Sequence, residues 1–233
     1  MLIHEVLQGI KKFQHMTWDE FVRHLQQYGI NVVGEGVYGQ VFAHPSWTYV
    51  VKVFDSDSGY ENFVSFAAKH QNLSCIPKIK RGMVKLHQFH RRSVEATGIK
   101  YLNIVKMERL EPLPSDLKYL TNSIGLTHLV RAKSRGDTWE EIVNDFHIEH
   151  LVNSYSNLEE VITTLQLYNK EMGVDERFDL HSNNLMYRAA TNSIVITDPT
   201  YDEQSDAGKF KLGDVQDEYI MGPLYRLLTN KKG

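Results

Sequence analysis

Residues 34–54 read GEGVYGQVFAHPSWTYVVKVF, and this stretch gives the clearest indication of the fold. Its three glycines, Gly34, Gly36 and Gly39, lie between two short runs of strand-forming residues. Glycine permits a tight hairpin and brings backbone N–H groups close to an anion such as a phosphate. Because a strand-like run rather than a helix follows the last glycine, a dinucleotide-binding crossover is excluded. The stretch predicts a glycine-rich β-hairpin, although the glycine motif alone is also typical of ordinary β-turns.

Lys52 stands within an apolar run that reads YVVKVF, residues 49–54. A lysine in such a strand lowers stability unless an anion meets its ammonium group, or unless its head reaches water at a sheet edge. Because this run is the next one after the glycine hairpin, we expect the ammonium group to face the phosphates of a nucleotide.

A second polar motif, FDLHSNNLM at residues 178–186, holds Asp179 and Asn184 five positions apart. A loop of this length can aim the carboxylate at a substrate hydroxyl and the amide oxygen at a metal ion. Fourteen residues after Asn184, the apolar run IVIT is followed by Asp198 and Pro199. An aspartate after a strand often begins a turn, but this spacing makes it a candidate magnesium ligand.

Hydrophobic periodicity divides the chain into a β-rich first part and a helical second part. Two helices come first, at 2–13 and from Thr17 to Gly29, with Glu20 completing a capping box at Thr17. The predicted strands lie at 30–33, 39–43, 48–54, 82–88 and 100–108, with a helix at 60–70. The predicted helices beyond Pro112 lie at 116–135, 138–150 and 157–172. We therefore expect two lobes with a ligand-binding cleft between them.

Composition is that of an ordinary globular chain. The 233 residues hold 26 basic and 29 acidic side chains, a balance that gives no reason to expect nucleic acid as a partner. No run of about 18 apolar residues predicts a membrane span. The first residues lack the long apolar core of a signal peptide. The single cysteine, Cys75, cannot form an internal disulfide, so we expect a reducing cytoplasm.

The order of these motifs resembles the protein-kinase-like superfamily over roughly residues 30–201. A glycine hairpin, a strand lysine, an Asp-x-x-x-x-Asn loop and a strand-terminal aspartate are together far more specific than any one of them. More narrowly, the chain is similar to the early serine/threonine protein kinases of short-tailed, Autographiviridae-type bacteriophages. The stretches that carry the narrower resemblance are GEGVYGQVFAHP, VKV, DSG, FDLHSNNLM and ITDP.

The resemblance implies an α+β, two-lobed protein-kinase-like fold with a small β-rich N-lobe and a reduced helical C-lobe. Its domains would be N-terminal helices at 1–29, an N-lobe at 30–110 and a C-lobe at 111–233. We expect the C-lobe to be reduced because 35 residues follow Asp198.

The resemblance also implies ATP and Mg²⁺ as cofactors. The glycines would cover the phosphates, Lys52 would hold the α- and β-phosphates, and the hinge near 107–110 would receive the adenine. The implied cofactor-binding residues are Gly34, Gly36, Gly39, Val41, Lys52, Met107 and Glu108.

The implied catalytic residues are Asp179, Lys52 and His181, and the implied metal ligands are Asn184 and Asp198. Asp179 would orient the substrate hydroxyl and accept its proton. His181 stands where the family usually has a lysine, and it either contacts the γ-phosphate or orders the loop. Both interpretations stay open.

Several residues depart from the usual kinase pattern. Arg177 and Phe178 replace the His-Arg pair, so the arginine that reads a phosphorylated activation loop is absent. Pro199 replaces the phenylalanine after the metal-binding aspartate. Glu61, nine residues after Lys52, is the candidate partner of that lysine, and a solvent-facing role for it is equally open.

Three functions are compatible with the sequence. The first is a phage serine/threonine kinase that modifies host proteins in the bacterial cytoplasm. The second is a small-molecule phosphotransferase of the aminoglycoside- or choline-kinase type, suggested by Asp179, His181 and Pro199. The third is a catalytically silent kinase-like protein that binds a host protein, which the intact set of polar residues argues against.

Overall fold

The structure is a computed structural model of the whole chain. It describes residues 16–36, 39–54, 58–89, 100–119, 125–173, 178–200 and 218–229. The predicted helix at 2–13 lies outside these residues. The protein is mixed α+β, with an antiparallel sheet in its N-terminal region and helices after it.

The chain divides into two compact units. The first takes its described residues from 1–57, 80–107 and 204–233, and the second takes them from 58–79 and 108–203. Each unit is therefore assembled from more than one segment of the chain. The predicted contiguous domains at 1–29, 30–110 and 111–233 stay a prediction.

A five-stranded sheet forms the frame of the first unit. Its strands stand in the order β1-β2-β3-β5-β4, and the β1–β2 and β2–β3 pairs are antiparallel. The strands are β1 (Asn31–Glu35), β2 (Gly39–Ala43), β3 (Tyr49–Phe54), β4 (Ile79–Phe89) and β5 (Lys100–Glu108). All five predicted strand runs are confirmed, because alternating or continuous apolar residues between glycine and proline breaks leave the backbone few other choices.

Helix α1 (Trp18–Gln26) precedes the sheet and begins at the predicted capping box. The Glu20 N–H donates to Thr17 Oγ1 at 3.3 Å, and the Thr17 N–H donates to Glu20 Oε2 at 2.8 Å. The backbone bond from Thr17 lowers the pKa of Glu20, because it stabilises the ionised carboxylate. This reciprocal pair satisfies two backbone donors that the first turn of a helix leaves without partners.

The core of the first unit lies on one face of its sheet. Two helices cover that face: α1 and a C-terminal helix, α8 (Glu218–Thr229). The buried residues of this core are Trp18, Phe21, Leu25, Ile30, Phe42, Val51, Val53, Leu102, Ile104, Met221, Leu224 and Leu228. The two ends of the described chain therefore pack on one sheet.

The second unit is mainly helical. Its helices are α2 (Ser58–Lys69), α3 (Ser115–Tyr119), α4 (Leu126–Arg135), α5 (Trp139–Phe146), α6 (Glu149–Ser154) and α7 (Leu158–Met172). A small sheet completes it, with strands in the order β6 (Glu111–Pro112), β7 (Leu185–Arg188) and β8 (Ser193–Ile196). The helical run predicted at 138–150 is interrupted at His147, which takes a left-handed conformation (φ 54°) and separates α5 from α6.

Helix α7 is the central element of the second unit. Its buried face carries Val161, Ile162, Leu165 and Tyr168. The ring of Tyr168 is buried, and its hydroxyl donates to the Gly59 carbonyl oxygen at 3.3 Å, so the polar end of the side chain has a hydrogen-bond partner. This contact joins α7 to the first turn of α2.

Within the described part of the chain, no helix combines the length and apolar character needed to cross a membrane.

Helix α8 offers a direct test of its place in the core, because Leu224 is fully buried whereas Leu227 on the same helix is 48% exposed. We expect Leu224→Ala to lower the free energy of unfolding by about 2–5 kcal/mol, since it deletes buried methyl groups and leaves a cavity. Leu227→Ala should change it by less than about 0.5 kcal/mol. Urea unfolding followed by tryptophan fluorescence measures both, and equal losses would contradict the packing of α8.

Candidate functional site

The glycine-rich stretch forms the turn between β1 and β2. The strands pair from Asn31 opposite Ala43 to Glu35 opposite Gln40, with a register shift between Val32 and Gly34. Beyond the last pair, the Gly36 N–H donates to the Gly39 carbonyl oxygen at 2.9 Å. The predicted hairpin is therefore present, and a bulge lies just before its first glycine.

The three glycines meet different surroundings. A Cβ on Gly39 would lie 2.7 Å from the Val53 carbonyl oxygen and 2.8 Å from Phe54 Cβ, so β3 excludes any side chain there. A Cβ on Gly34 would make only ordinary contact with Val41, at 3.5 Å. Around Gly36, the nearest described atom would be 4.0 Å away. Internal packing thus explains Gly39, whereas no atom of the described residues would lie closer than 4.0 Å to a Cβ on Gly36.

Lys52 lies on β3 directly opposite Val41 of β2. Its neighbours Val51 and Val53 belong to the core, and successive side chains of a strand point to opposite faces. Lys52 and Val41, both partly buried, therefore lie on the sheet face away from the core.

The same alternation places Met107 on that face, because Leu102 and Ile104 of β5 face the core. Strand β5 is the neighbour of β3 in the sheet. Three residues predicted to bind the nucleotide, Val41, Lys52 and Met107, thus share one face of the first unit.

In the second unit, the loop that contains Asp179 pairs with the segment after β8. Phe178 forms an isolated antiparallel bridge with Thr200, and the Asp179 N–H donates to the Pro199 carbonyl oxygen at 2.8 Å. Pro199 is buried. These contacts hold the backbone of Asp179 against the residue that follows Asp198.

Asn184 closes its own loop through its side chain and connects that loop to the segment after β8 through its backbone. Its Nδ2 donates to the Asp179 carbonyl oxygen at 2.7 Å. Its own carbonyl oxygen accepts from the Thr197 N–H at 2.9 Å and from the Asp198 N–H at 3.3 Å. The amide nitrogen must be the atom that faces a carbonyl, so the amide oxygen Oδ1 is the atom that remains available as a ligand.

The hairpin β7–β8 fixes the position of Asp198, two residues beyond its end. Leu185 pairs with Ile196, and Ile194, Val195 and Ile196 are buried. The side chain of Asn157, at the start of α7, bonds both backbone groups of Ile194: Nδ2 donates to its carbonyl oxygen at 2.8 Å, and Oδ1 accepts from its N–H at 3.0 Å. An apolar strand and a buried amide therefore anchor the segment that carries the predicted metal ligand.

His181 lies beside Asp179. Its Nδ1 accepts a hydrogen bond from the Asn183 N–H at 3.1 Å, and its Nε2 is 3.4 Å from Asp179 Oδ2. The second unit therefore brings together four residues that the sequence analysis assigned to one site: Asp179, His181, Asn184 and Asp198.

Arg188 is a residue that the sequence analysis missed. Its Nε donates to Glu108 Oε2 at 3.0 Å and its Nη2 to Glu108 Oε1, and the two side chains are only 12% and 19% exposed. The guanidinium also donates to the carbonyl oxygens of Ser74 and Ile76, the latter at 2.9 Å. This bidentate pair joins the end of β5 to the end of β7 and to the loop before β4. No local pattern reveals it, because the partners are 80 residues apart.

The same pair engages most polar groups of Glu108. Its Oε1 also accepts from the Lys78 N–H at 2.8 Å, and its own N–H donates to the Lys78 carbonyl oxygen at 2.9 Å. The Glu108 carboxylate is therefore held by Arg188 and the Lys78 backbone, and its predicted role in binding a nucleotide stays a prediction.

Glu61 lies in the first turn of α2, which belongs to the second unit, whereas Lys52 belongs to the first. Its predicted pairing with Lys52 stays a prediction.

The oxygen donors of the second unit fit a magnesium ion better than a softer metal. Mg²⁺ prefers oxygen ligands and takes one or two carboxylates together with phosphate oxygens and water. Asn184 Oδ1 and the Asp198 carboxylate supply this kind of donor. Among the residues that the structure describes, no group of three or more His, Cys, Asp or Glu side chains forms a metal cage.

Cys75 has a structural role in the second unit. It is fully buried, and its thiol lies 3.1 Å from Thr164 Oγ1. Burial raises the pKa of this thiol to about 12, because it penalises the thiolate. The thiol is therefore protonated at neutral pH and is a poor metal ligand or nucleophile.

Comparison of the sequence with protein-family models and with curated proteins finds no match. The arguments for function therefore rest on the geometry of the two units and on the motif residues themselves.

The glycine hairpin yields a stability prediction. We expect Gly39→Ala to lower the free energy of unfolding by about 1–3 kcal/mol, because its Cβ would overlap β3. Gly36→Ala should change the free energy of unfolding by less than about 0.5 kcal/mol, because no described atom would lie closer than 4.0 Å to the new Cβ. Thermal or urea unfolding of the two matched variants measures the difference, and a larger loss for Gly36→Ala would refute this description of the turn.

The Arg188–Glu108 ion pair also leads to a stability prediction. Arg188→Ala should lower the free energy of unfolding by about 1–3 kcal/mol, because it removes the charged partner of a carboxylate that is only 19% exposed. The control is Arg135→Ala, which removes an ion pair to Asp137 from an arginine that is 67% exposed. That change should be within about 1 kcal/mol of zero. Similar values for the two variants in urea titrations would show that the Arg188 pair is not buried in solution.

Proposed function

We propose that this chain is an ATP- and Mg²⁺-dependent phosphotransferase with a two-lobed protein-kinase-like fold. Within that class, we propose a serine/threonine protein kinase of the kind made by short-tailed phages, acting on host proteins in the bacterial cytoplasm. The observation that carries the proposal is the junction at Asn184, whose side chain bonds the backbone of Asp179 while its carbonyl oxygen bonds the backbone of Asp198.

This junction supports phosphoryl transfer because the reaction depends on positioning and on charge stabilisation rather than on covalent chemistry. A base that takes the hydroxyl proton and the ligands of a metal must stand at fixed separations. Asn184 sets those separations for Asp179 and Asp198, and it also offers its own Oδ1 to the metal. A loop of turn-forming residues with no chemical role has no need for that arrangement.

The first unit supports the same proposal independently. In its glycine turn, the nearest described atom to a Cβ on Gly36 would be 4.0 Å away. Strand β3 carries Lys52 on the sheet face that also bears Val41 and Met107. A phosphate close to Gly36 would accept from its neighbouring backbone N–H groups, and Lys52 would supply a compensating positive charge. Adenine would lie against the apolar side chains of that face.

Each residue of the second unit then has a definite task. Mg²⁺ would neutralise charge on the phosphate oxygens. Asn184 Oδ1 and the Asp198 carboxylate would hold the ion. The Asp179 carboxylate would orient the attacking hydroxyl and accept its proton late in the transfer. The side-chain amide of Asn184 and hydrogen bonds to the backbone of Asp179 and Asp198 position these residues.

A small-molecule phosphotransferase is the second candidate. The sequence motifs Asp179-Leu-His181 and Asp198-Pro199 resemble those of aminoglycoside- and choline-kinase-like proteins, and the observation that favours this candidate is that His181 lies 3.4 Å from the Asp179 carboxylate. A silent kinase-like protein is the third, and it has no use for the contacts that Asn184 makes.

One experiment separates these candidates. The purified chain is incubated with γ-labelled ATP and Mg²⁺, either with bacterial lysate or with a panel of small hydroxyl compounds. Label in lysate proteins at serine and threonine supports the proposal. Label in a small compound alone supports the second candidate. A chain that labels neither, yet binds ATP or a host protein, would be the third.

The two aspartates should fail in different ways. We expect Asp179→Asn to lower kcat by at least about 10²-fold while ATP affinity is nearly preserved, because the base is lost but the nucleotide-binding charges remain. Its backbone contacts to Asn184 and Pro199 need no side chain and should persist. Asp198→Asn should instead weaken Mg²⁺-dependent ATP binding, because a direct metal ligand loses its charge.

The measurements are initial rates and calorimetric titration with ATP at several Mg²⁺ concentrations. The matched control is Asp145→Asn, an exposed aspartate on α5, which should leave both quantities unchanged. Near-normal turnover of Asp179→Asn would refute the role assigned to the loop.

A further inference from the structure

We propose that His181 is a positioning residue that holds Asp179 Oδ2 and so leaves Oδ1 to accept the substrate proton. The inference rests on the proposed function for its chemical meaning, and it selects between the two roles that the sequence left open for this histidine. The observations that carry it are the two contacts of the imidazole ring, one from each nitrogen.

The contact at Nδ1 determines the tautomer. The Asn183 backbone N–H points at Nδ1 from 3.1 Å, and a backbone N–H can only donate. Nδ1 must therefore be the acceptor nitrogen of the ring. In a neutral imidazole the other nitrogen then carries the hydrogen, so His181 is the Nε2–H tautomer.

The contact at Nε2 determines what that hydrogen faces. Nε2 lies 3.4 Å from Asp179 Oδ2, a separation longer than that of a short hydrogen bond but close enough for an N–H dipole to attract a carboxylate. The Asp179 side chain is 38% exposed and the His181 side chain 48% exposed, so the contact orients the carboxylate without burying it. The ring lies closest to Oδ2, and we therefore assign Oδ1 as the oxygen that a substrate hydroxyl reaches.

A role as a γ-phosphate ligand would require Nε2–H to point at the phosphate. The same hydrogen cannot serve Asp179 and a phosphate with good geometry at once. Protonation at Nδ1 would supply a second donor, but it would also oppose the Asn183 N–H with another N–H. The backbone therefore holds the ring as a single-donor group that faces Asp179.

With Oδ1 of Asp179 as the proton acceptor, the phosphoryl transfer proceeds as follows in terms of bonds and protons. The hydroxyl oxygen of the substrate forms a bond to the γ-phosphorus as the bond from that phosphorus to the β–γ bridging oxygen breaks, and the electron pair leaves with ADP. The hydroxyl proton passes to Asp179 Oδ1. His181 neither gains nor loses a proton in this step, and its Nε2–H stays directed at Oδ2.

Two substitutions separate the ring nitrogens. In His181→Gln the side-chain amide reaches the position of Nε2 and can still donate to Asp179, but the acceptor for Asn183 is lost. In His181→Asn the amide oxygen takes the position of Nδ1 and can still accept from Asn183, but the donor to Asp179 is lost. We expect His181→Asn to lower kcat roughly tenfold more than His181→Gln does, with similar KM for ATP in both. His150→Asn, at an exposed position on α6, is the matched control.

A kinetic result of the opposite kind would overturn the proposal. If both variants raise KM for ATP by the same factor and leave kcat alone, His181 is a phosphate ligand. If His181→Gln loses more kcat than His181→Asn, the contact to Asn183 rather than that to Asp179 carries the effect.

A second measurement does not depend on activity. Long-range ¹H–¹⁵N correlation spectra of the nucleotide-free protein report the tautomer of each histidine, and the His181→Gln spectrum identifies the signal of His181. An Nε2–H tautomer supports the proposal, and an Nδ1–H tautomer or a charged ring at neutral pH overturns it. If the chain proves inactive but the Nε2–H form is present, the proposed function fails while the pairing of His181 with Asp179 stands.

Discussion

Asn184 joins the two segments on which the proposed chemistry depends. Its Nδ2 donates to the carbonyl oxygen of Asp179 within its own loop, and its carbonyl oxygen accepts from the Thr197 and Asp198 N–H groups, so this residue links the loop of Asp179 to the segment of Asp198 within the second unit. The bond from the Asp179 N–H to Pro199 closes this arrangement from the other side. Because all of these contacts use backbone groups or an amide, they hold the reactive carboxylates in place without neutralising them.

The rest of the second unit supports this junction. The apolar strand β8 buries Ile194, Val195 and Ile196, and Asn157 satisfies the backbone of that strand from the start of α7. The Arg188 guanidinium, which is 12% exposed, then ties the neighbouring strand β7 to Glu108 and to the carbonyl oxygens of Ser74 and Ile76.

Local sequence patterns predicted most helices and strands of both units, because the formation of each of these elements depends on residues that are close together in the sequence. Alternating apolar residues defined β1 to β5, the capping box of Thr17 and Glu20 began α1, and a fixed spacing identified the loop from Asp179 to Asn184. The position of α8 could not be predicted in this way. Its buried face packs on a sheet whose last strand ends at Glu108, far earlier in the chain than α8 (Glu218–Thr229), so its partner is set by three-dimensional packing alone.

The sequence by itself determined the mixed α+β character, the glycine hairpin, the strand position of Lys52 and the identity of the polar residues that form the candidate site. Those features follow from backbone preferences and from chemical types, both of which are local properties. The three-dimensional structure was needed to show that a side chain at Gly39 would overlap β3, that Arg188 holds Glu108, and that His181 lies beside Asp179. Each of these depends on distances between atoms that distant parts of the chain or the turn of a loop bring together, and a residue's type does not encode such distances.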